Sequence, residues 1–438
     1  MEFSAIMNAI LGYYDVFGRQ MLDFLHIVFD NIFYAFLFIA IIVSVLYYLV
    51  SVYVLFNKNR AKEKRFITEK APFVTVQIPT YNELAAIRCA KKCLEFDYPK
   101  DRYEIIIGDD SNKTDVSRKL DGFAKKHELI RITRRGSNIG YKAGNLNHML
   151  KYSKGSILVL FDSDFVPPRD FLKRIVTPFI YDKELAGVQA RWKFINANQN
   201  MVSILGASIV AICHHVLYPF FKNRRGISFL CGSAEAVRKD LLVKLGGWKN
   251  GSLTEDIEYA LRLLKNGYRI EYLEKLECGS EVPYTPKDLY RQQMRWAFGV
   301  IDALKEHGKD IIRNKKLSIR DKFFINFACS GYLFAVLLLF LFITGFLSFI
   351  THKPEPINLL RFFSELGRNI ALTSGILMAG VVAQAKSKNI KGILTSFISC
   401  FSYGLVVTYY VNIGIFKVLT KRPMEWFMLN KNGNKTAA

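Results

Sequence analysis

Between Ile32 and Phe56 the chain carries no charged residue. A helix of that length clears the roughly 30 Å hydrocarbon core of a bilayer, and a charge-free run this long reads as a transmembrane span. Lys58, Arg60, Lys62, Lys64 and Arg65 follow at once. The positive-inside rule places that flank in the cytoplasm and the N-terminus outside. Residues 1–31 are apolar but broken by Asp15, Arg19, Asp23 and Asp30, the pattern of an amphipathic segment lying on a membrane. No basic stretch precedes them, so they do not read as a cleaved signal peptide.

Charge sharpens this picture. Lys and Arg outnumber Asp and Glu by 61 to 38 in 438 residues, a formal +23, while 51% of the residues are hydrophobic. The basic residues crowd beside apolar spans instead of forming one polar module with interleaved aromatics, so nucleic acid is not the expected partner. Seven cysteines (Cys89, Cys93, Cys213, Cys231, Cys278, Cys329, Cys400) are scattered without a Cys-x-x-Cys pair. That excludes a disulfide framework and a zinc site as organising features. His214-His215 reads as packing or interfacial histidine.

From about 70 to 310 the texture changes. Val74–Pro79, Glu104–Gly108, Leu129–Thr133, Ser156–Phe161 and Gly187–Phe194 read as strands, with helical stretches such as Lys142–Lys151 between them. Strand–helix alternation with short loops predicts an α/β domain around a mostly parallel sheet. Its position after the basic flank makes it cytoplasmic. Residues 311–418 form a membrane region. Uncharged runs at 324–350, 369–385 and 393–416 make about four spans in all, the short 369–385 run being open to a re-entrant reading. Stretches 201–222 and 286–320 are candidate interfacial helices. Residues 419–438 are a basic tail. Three crossings after the α/β domain leave it outside, whereas Lys417, Lys421, Arg422, Lys431 and Lys435 argue that it stays inside.

Within the α/β domain the acids stand at strand ends. Ile157–Phe161 is a buried strand that runs into Asp162-Ser163-Asp164. Two carboxylates this close are either a polar turn with a helix-capping Asp or hard ligands for Mg²⁺ or Mn²⁺ shared with substrate phosphates. Thr80, Tyr81 and Glu83 follow a first strand, and Asp109-Asp110 end a second. Such tips form turns and caps, or accept hydrogen bonds from a base or ribose in the crevice at the carboxyl edge of the sheet. Lys142, between Gly140 and Gly144, is a surface lysine or one that meets a diphosphate. Thr254 is a plausible N-cap for a helix opening with Glu255-Asp256, either of which can serve as a general base toward an acceptor hydroxyl. Gln292, Arg295 and Trp296 lie on a helix near the membrane, for anchoring or for contact with a sugar and a leaving diphosphate.

Asp109-Asp110, Asp162-Ser163-Asp164, Thr254-Glu255-Asp256 and Gln292-Gln293-Met294-Arg295-Trp296 stand in the order found in family 2 membrane glycosyltransferases. The pattern resembles the cellulose synthase, mannan synthase and hyaluronan synthase group. Tyr141–Leu146, Val188–Trp192, Phe229–Ala234 and the tail segment Pro423–Trp426 look alike too. The resemblance covers about residues 70–300 well and the membrane part in outline. It implies a nucleotide-sugar-binding, Rossmann-like GT-A domain inserted between transmembrane helices of a plasma-membrane or equivalent protein. It further implies an inverting, metal-dependent hexosyltransferase using Mg²⁺ or Mn²⁺ and a UDP- or GDP-hexose, building a β-glucan- or mannan-like polysaccharide processively. Single-sugar transfer to a lipid acceptor is the alternative, and a non-catalytic nucleotide-binding membrane protein a third reading.

Carried onto this sequence, the resemblance gives Thr80, Tyr81, Glu83 and Asp109 or Asp110 the nucleoside. Lys142 and Asp162 would meet the diphosphate, with Gln292 and Arg295 nearby. Asp162 and Asp164 would hold the metal. Asp256, beside Glu255, would be the base, and Cys231, Gly232, Ser233 and Trp296 would line the acceptor site. The chain departs from bacterial cellulose synthase in having fewer spans and no room for a C-terminal cyclic-dinucleotide module, which leaves product secretion open.

Overall fold

A computed structural model describes residues 2–57, 64–222, 227–352, 358–389 and 392–431, with side chains from residue 15 onward. The chain divides into two compact units. One combines the N-terminal residues to Val52 with Tyr332–Ala379, and the other combines Tyr53–Gly331 with the chain from Gly380 on.

The second unit holds a seven-stranded sheet of β1 (Val74–Thr80), β2 (Tyr103–Asp109), β3 (Ile130–Thr133), β4 (Ile157–Leu160), β5 (Leu185–Phe194), β6 (Glu235–Arg238) and β7 (Arg269–Ser280). Their order across the sheet is β3-β2-β1-β4-β6-β5-β7. β1, β2, β3 and β4 are parallel neighbours. All four residues of β4 are buried, as expected of a strand covered on both faces. The helices Ala85–Leu94, Thr114–Ala124, Tyr141–Leu150 and Phe171–Tyr181 follow the first four strands in turn. Val76, Ile78, Ile105, Ile107, Val159, Phe96, Phe161 and Phe171 make the core between sheet and helices. One close approach needs glycine. A Cβ on Gly108 would lie 1.9 Å from Asn145 Oδ1, and Asn145 Nδ2 donates to the Gly108 carbonyl at 2.8 Å, tying β2 to the helix Tyr141–Leu150.

Two strands escape the sequence reading, and both matter. β6 runs antiparallel between β4 and β5, pairing Leu160 with Glu235 and Gln189 with Glu235. It is four residues long and contains Glu and Arg, too short and too polar for a hydrophobic-run criterion. β7 pairs in parallel with β5 over a register shift at Ala190/Arg191. The sheet is therefore mixed, with one antiparallel strand set into it.

One helix runs unbroken from Glu2 to Phe56, so the expected boundary at 31/32 is not a structural break; its residues to Val52 belong to the first unit. His26 Nδ1 lies 3.0 Å from the Ser348 carbonyl, and Phe36 stacks on Phe340 at 5.0 Å. Gly375 approaches so closely that its N–H donates to Ser44 Oγ at 2.7 Å. Large apolar residues such as Phe38, Phe342 and Phe349 remain exposed, the surface a lipid environment would cover.

Among the described residues three helices are long and apolar enough to cross a membrane: Asp15–Phe56, Met201–Lys222 and Ile319–Thr351. Two further pairs, Leu359–Thr373 with Gly375–Lys386 and Gly392–Phe401 with Tyr403–Leu419, bend by 60° and 56° at a short break. The runs at 369–385 and 393–416 thus fall on broken helices instead of straight ones. Residues 201–222, read above as interfacial, qualify as a span by length and hydropathy although most of that helix packs inside protein. Ser208 Oγ meets Ser396 Oγ at 2.7 Å and receives Gln384 Nε2 at 2.5 Å. Residues 286–320 divide into the helices Pro286–Arg313 and Ile319–Cys329. Lys58, Arg60, Lys62 and Lys435 lie outside the described residues. Lys64 stands over the Tyr181 ring, and the Arg65 carbonyl accepts from Tyr181 Oη at 2.9 Å, so the remaining flank joins the α/β domain.

Candidate active site

Sheet register gathers the motifs. Thr80 is paired with Asp109, and Gln77 with Leu160, so Thr80, Asp109 and Asp162 emerge together from the carboxyl ends of β1, β2 and β4. Because β6 is antiparallel, its first residue stands at the same edge, and the turn Cys231-Gly232-Ser233 arrives there with it. The Asp162 N–H donates to Ser233 Oγ at 2.9 Å, joining the two segments. Glu255 and Asp256 come on the helix Glu255–Lys265.

Lys142 sits where these pieces meet. Its Nζ is 2.8 Å from Asp162, 3.0 Å from Glu255 and 2.5 Å from the Gly232 carbonyl. Burial works against the ammonium, but Asp162, Glu255 and Asp256 outweigh it and hold it well above the usual lysine range. Asp256 is pushed up to about 7, by burial first and by the Glu255 charge second, with Lys142 pulling the other way. A carboxylate poised there can take a proton near neutral pH. It faces the turn Cys231–Ser233. Gly232 has φ of 79°, and a Cβ on it would lie 3.2 Å from Asp256 Oδ2 and 3.1 Å from Lys142 Nζ. Thr254 occupies the N-cap position, yet its hydroxyl caps nothing. Gly299 of the helix Pro286–Arg313 presses on its side chain, and Thr254 Oγ1 is buried without a partner among the described residues.

The residues expected to meet the nucleoside already have protein partners. Asp109 accepts from the Ser111 N–H at 3.0 Å, Ser117 Oγ at 2.7 Å and Arg134 Nε at 2.8 Å. These bonds overcome burial and keep its carboxyl below the ordinary range. Asp110 is bound in a fork by Arg135, at 3.0 Å from Nε and 2.6 Å from Nη2, though burial still raises it. Arg135 also donates to the Ile139 and Tyr141 carbonyls, bracing the loop into Lys142. Thr80 Oγ1 donates to the Glu83 carbonyl, and Tyr81 meets the Trp426 ring edge-on at 5.8 Å. Glu83 is engaged by other partners than the Asp109–Asp110 pair. Its carboxylate accepts from Ser163 Oγ and from Lys431 Nζ at 3.0 Å, and burial raises its pKa despite that lysine.

Lys431 is the largest omission of the sequence reading, which counted it only as a tail charge. Its Nζ lies 2.9 Å from Asp164 Oδ1, while Asp164 Oδ2 accepts from Ser280 Oγ and the Glu281 N–H, each at 3.2 Å. Burial raises the Asp164 carboxyl, and Lys431 and these bonds more than offset it, leaving it below the ordinary range. The tail is laid across the site. Met424 is buried with Leu253 and Met294, Trp426 stacks with Tyr141 at 6.5 Å, and Asn430 Nδ2 donates to Asp288 at 2.8 Å. Residue 431 and the α/β domain therefore lie on the same side of any membrane.

From the helix Pro286–Arg313, Arg295 donates to the Leu253 carbonyl at 3.0 Å. Gln292 and Gly299 share its face by helical spacing, and Trp296 is half-buried one position round. Asp162 and Asp164 offer hard oxygen donors, and each already holds a cationic side chain, Lys142 or Lys431. That demand for positive charge fits a divalent cation. Among the described residues one other cluster, Glu258 with Glu306 and His307, has metal-like spacing. Glu258 is spent on Arg262 and His307, at 2.7 and 2.9 Å.

Residues 71–299, over half of the chain, match the family model described as glycosyltransferase like family 2. The chain belongs to this family. Among curated family relatives, a probable glucomannan 4-beta-mannosyltransferase 15 of Arabidopsis thaliana is 31% identical over 65% of this chain and 58% of that protein. A probable glucomannan 4-beta-mannosyltransferase 11 of Oryza sativa subsp. japonica is 33% identical over 57% of this chain and 45% of that protein. The chain thus spans about half the length of the curated relatives it matches. Among solved structures, the mannosyltransferase PcManGT from Pyrobaculum calidifontis, in complex with GDP-Man and Mn²⁺, superposes with a TM-score of 0.58. It covers 82% of this chain and 99% of that one at 20% identity, which establishes the shared GT-A fold. Histidines 214 and 215 are buried in a π-turn, as packing residues, and all seven cysteines are free.

Proposed function

We propose that the protein is a membrane-bound inverting hexosyltransferase that moves a sugar from a nucleotide donor to an acceptor hydroxyl, with its catalytic domain in the cytoplasm. The observation that carries this is the meeting of Asp256, Lys142 and Asp162 at the turn Cys231–Ser233. Asp256 accepts the proton of the acceptor hydroxyl as that oxygen forms its bond to the anomeric carbon. On the opposite face the bond from that carbon to the diphosphate oxygen breaks, and the electron pair leaves with the phosphate. One displacement inverts the centre, and no enzyme nucleophile is required. Lys142 shifts from Asp162 toward the leaving phosphate oxygens and offsets their charge. Asp162 and Asp164 would hold a divalent cation, Mg²⁺ or Mn²⁺, which supplies further neutralisation of the leaving group. Asp109 and Asp110, with Tyr81 and Trp426, frame the nucleoside, while Gly232 and Trp296 stand on the acceptor side.

The names of the relatives and of PcManGT's ligand support GDP-mannose as the first donor to try and a β-mannan-like polymer as product. The Gln292–Trp296 segment supports processive addition. Detergent-purified protein, given a panel of nucleotide sugars with Mn²⁺ or Mg²⁺, is expected to release nucleoside diphosphate with one of them. Asp164→Asn and Asp256→Asn should each abolish that release. Turnover that survives Asp256→Asn would overturn the assignment of the base, and product length by mass spectrometry separates polymer synthesis from single-sugar transfer to a lipid.

A further inference from the structure

Glu235 takes no part in the chemistry described so far, yet its placement is unusual. It opens β6, is fully buried, and is followed by Ala236 and Val237, small apolar residues of the same strand. Its Oε2 accepts two backbone N–H groups at once, from Cys231 at 3.0 Å and from Gly232 at 2.8 Å. Its Oε1 is buried with no hydrogen-bond partner among the described residues. Burial, followed by the nearby Asp256, pushes its acid up to about 8. A protein core gains nothing from such a group. An unmet buried polar atom costs stability, and native structures retain one where function requires it.

The two amides show what is required. Gly232 is left-handed, and its carbonyl points at Lys142 while its Cα faces Asp256. In a free chain a turn of that kind has several alternatives. Here Cys231 is held from two sides, because Gln189 Oε1 also accepts its N–H at 2.7 Å, whereas the Gly232 N–H has Glu235. We propose that Glu235 is a positioning residue that pins the Cys231–Gly232 turn, so that the Gly232 carbonyl seats Lys142 and the acceptor face keeps its distance from Asp256. This rests on the transferase reading of the site. A displacement of about 1 Å in such a constellation is enough for roughly a hundredfold in rate.

Two full-length variants in detergent test it. Glu235→Ala removes both hydrogen bonds, and Glu235→Gln keeps one oxygen for the two amides. Glu235→Ala is expected to hold or raise the thermal midpoint and to bind metal–nucleoside diphosphate within about threefold of wild type. Its turnover should fall about 10- to 100-fold, with Glu235→Gln recovering most of the loss. A readout independent of activity is the alkylation of the Cys231 thiol by N-ethylmaleimide, followed by peptide mass spectrometry. It should speed up severalfold in Glu235→Ala and not in Glu235→Gln. Wild-type turnover together with wild-type thiol protection in Glu235→Ala overturns the proposal. So does a loss of activity that tracks a loss of thermal midpoint in both variants, which would mark a merely structural role. If the wild-type protein turns over no donor while the thiol result holds, the transferase reading fails and the positioning of the turn stands.

Discussion

Replacing Lys431 with alanine strips the counter-cation from two buried carboxylates. Burial already raises the Glu83 carboxyl and Asp164 is held below its ordinary range largely by Lys431, so the loss centres on Asp164. Removing one member of a buried ion pair costs about 3–5 kcal/mol. Lys431 and Asp164 retain 17% and 7% side-chain exposure, and Asp164 keeps its bonds from Ser280 and Glu281, so the lower end applies. About 3 kcal/mol in a domain of this size corresponds to a drop of roughly 6–12 °C in melting temperature. The decisive comparison is between EDTA and millimolar Mn²⁺ in a thermal-shift assay on detergent-purified protein. In EDTA the variant should melt lower by that amount. With Mn²⁺ at least half of the gap should close, because a cation held by the same carboxylates replaces the missing charge. Wild type should gain less from Mn²⁺, since its lysine must first be displaced. A gap insensitive to Mn²⁺, or no gap in EDTA, would refute the reading of Asp164 as a cation site that Lys431 fills.

Asp256→Asn should lower turnover by about 10²–10⁴, and the wild-type rate should fall on acidification below the Asp256 pKa of about 7. The same shift has a stability sign. A folded-state pKa above the ordinary carboxyl value means a contribution present at low pH and lost as pH rises through 7, so Asp256→Asn should melt higher than wild type at pH 8 and equal to it near pH 4. Gly232→Ala meets a positive φ and crowds both Lys142 and Asp256. It should abolish turnover, measured by nucleoside diphosphate release, while the thermal midpoint falls by only a few degrees. Arg135→Ala frees Asp110 and the loop into Lys142, and should weaken nucleoside diphosphate binding by about tenfold or more in a titration, in keeping with the loss of a charge-assisted fork.

Most of the sheet could be read from the chain because β2 and β4 are apolar runs that end in acids and β1 a buried strand that ends in Thr80, and strand polarity alone then sends these tips to one edge. β6 was hidden because its outer residues are polar for local reasons, Glu235 to hold a turn and Arg238 to pair with Asp240 at 2.5 Å. Spacing left Asp162, Asp256 and Lys142 open, and the family resemblance made them candidate site residues without showing how they pair. Glu83 stands one turn from Thr80 in sequence and still points at Lys431, a partner that no local pattern discloses. Thr254 reads as a cap from its residue type, and only the structure shows its hydroxyl turned against Gly299 with no helix amide to cap.

The antiparallel strand has a practical corollary. To pass from Leu160 of β4 to its neighbour Glu235, the chain must first complete β5 and then the apolar helix Met201–Lys222. That helix is an internal excursion of the catalytic sheet, not a flanking anchor. Cutting the protein back to its central segment would still leave this apolar helix in the middle of the fragment. Deleting the helix would disconnect the strand that carries the turn Cys231–Ser233. A water-soluble catalytic fragment is therefore not a matter of trimming the ends, and it would have to be made by resurfacing Met201–Lys222 in place.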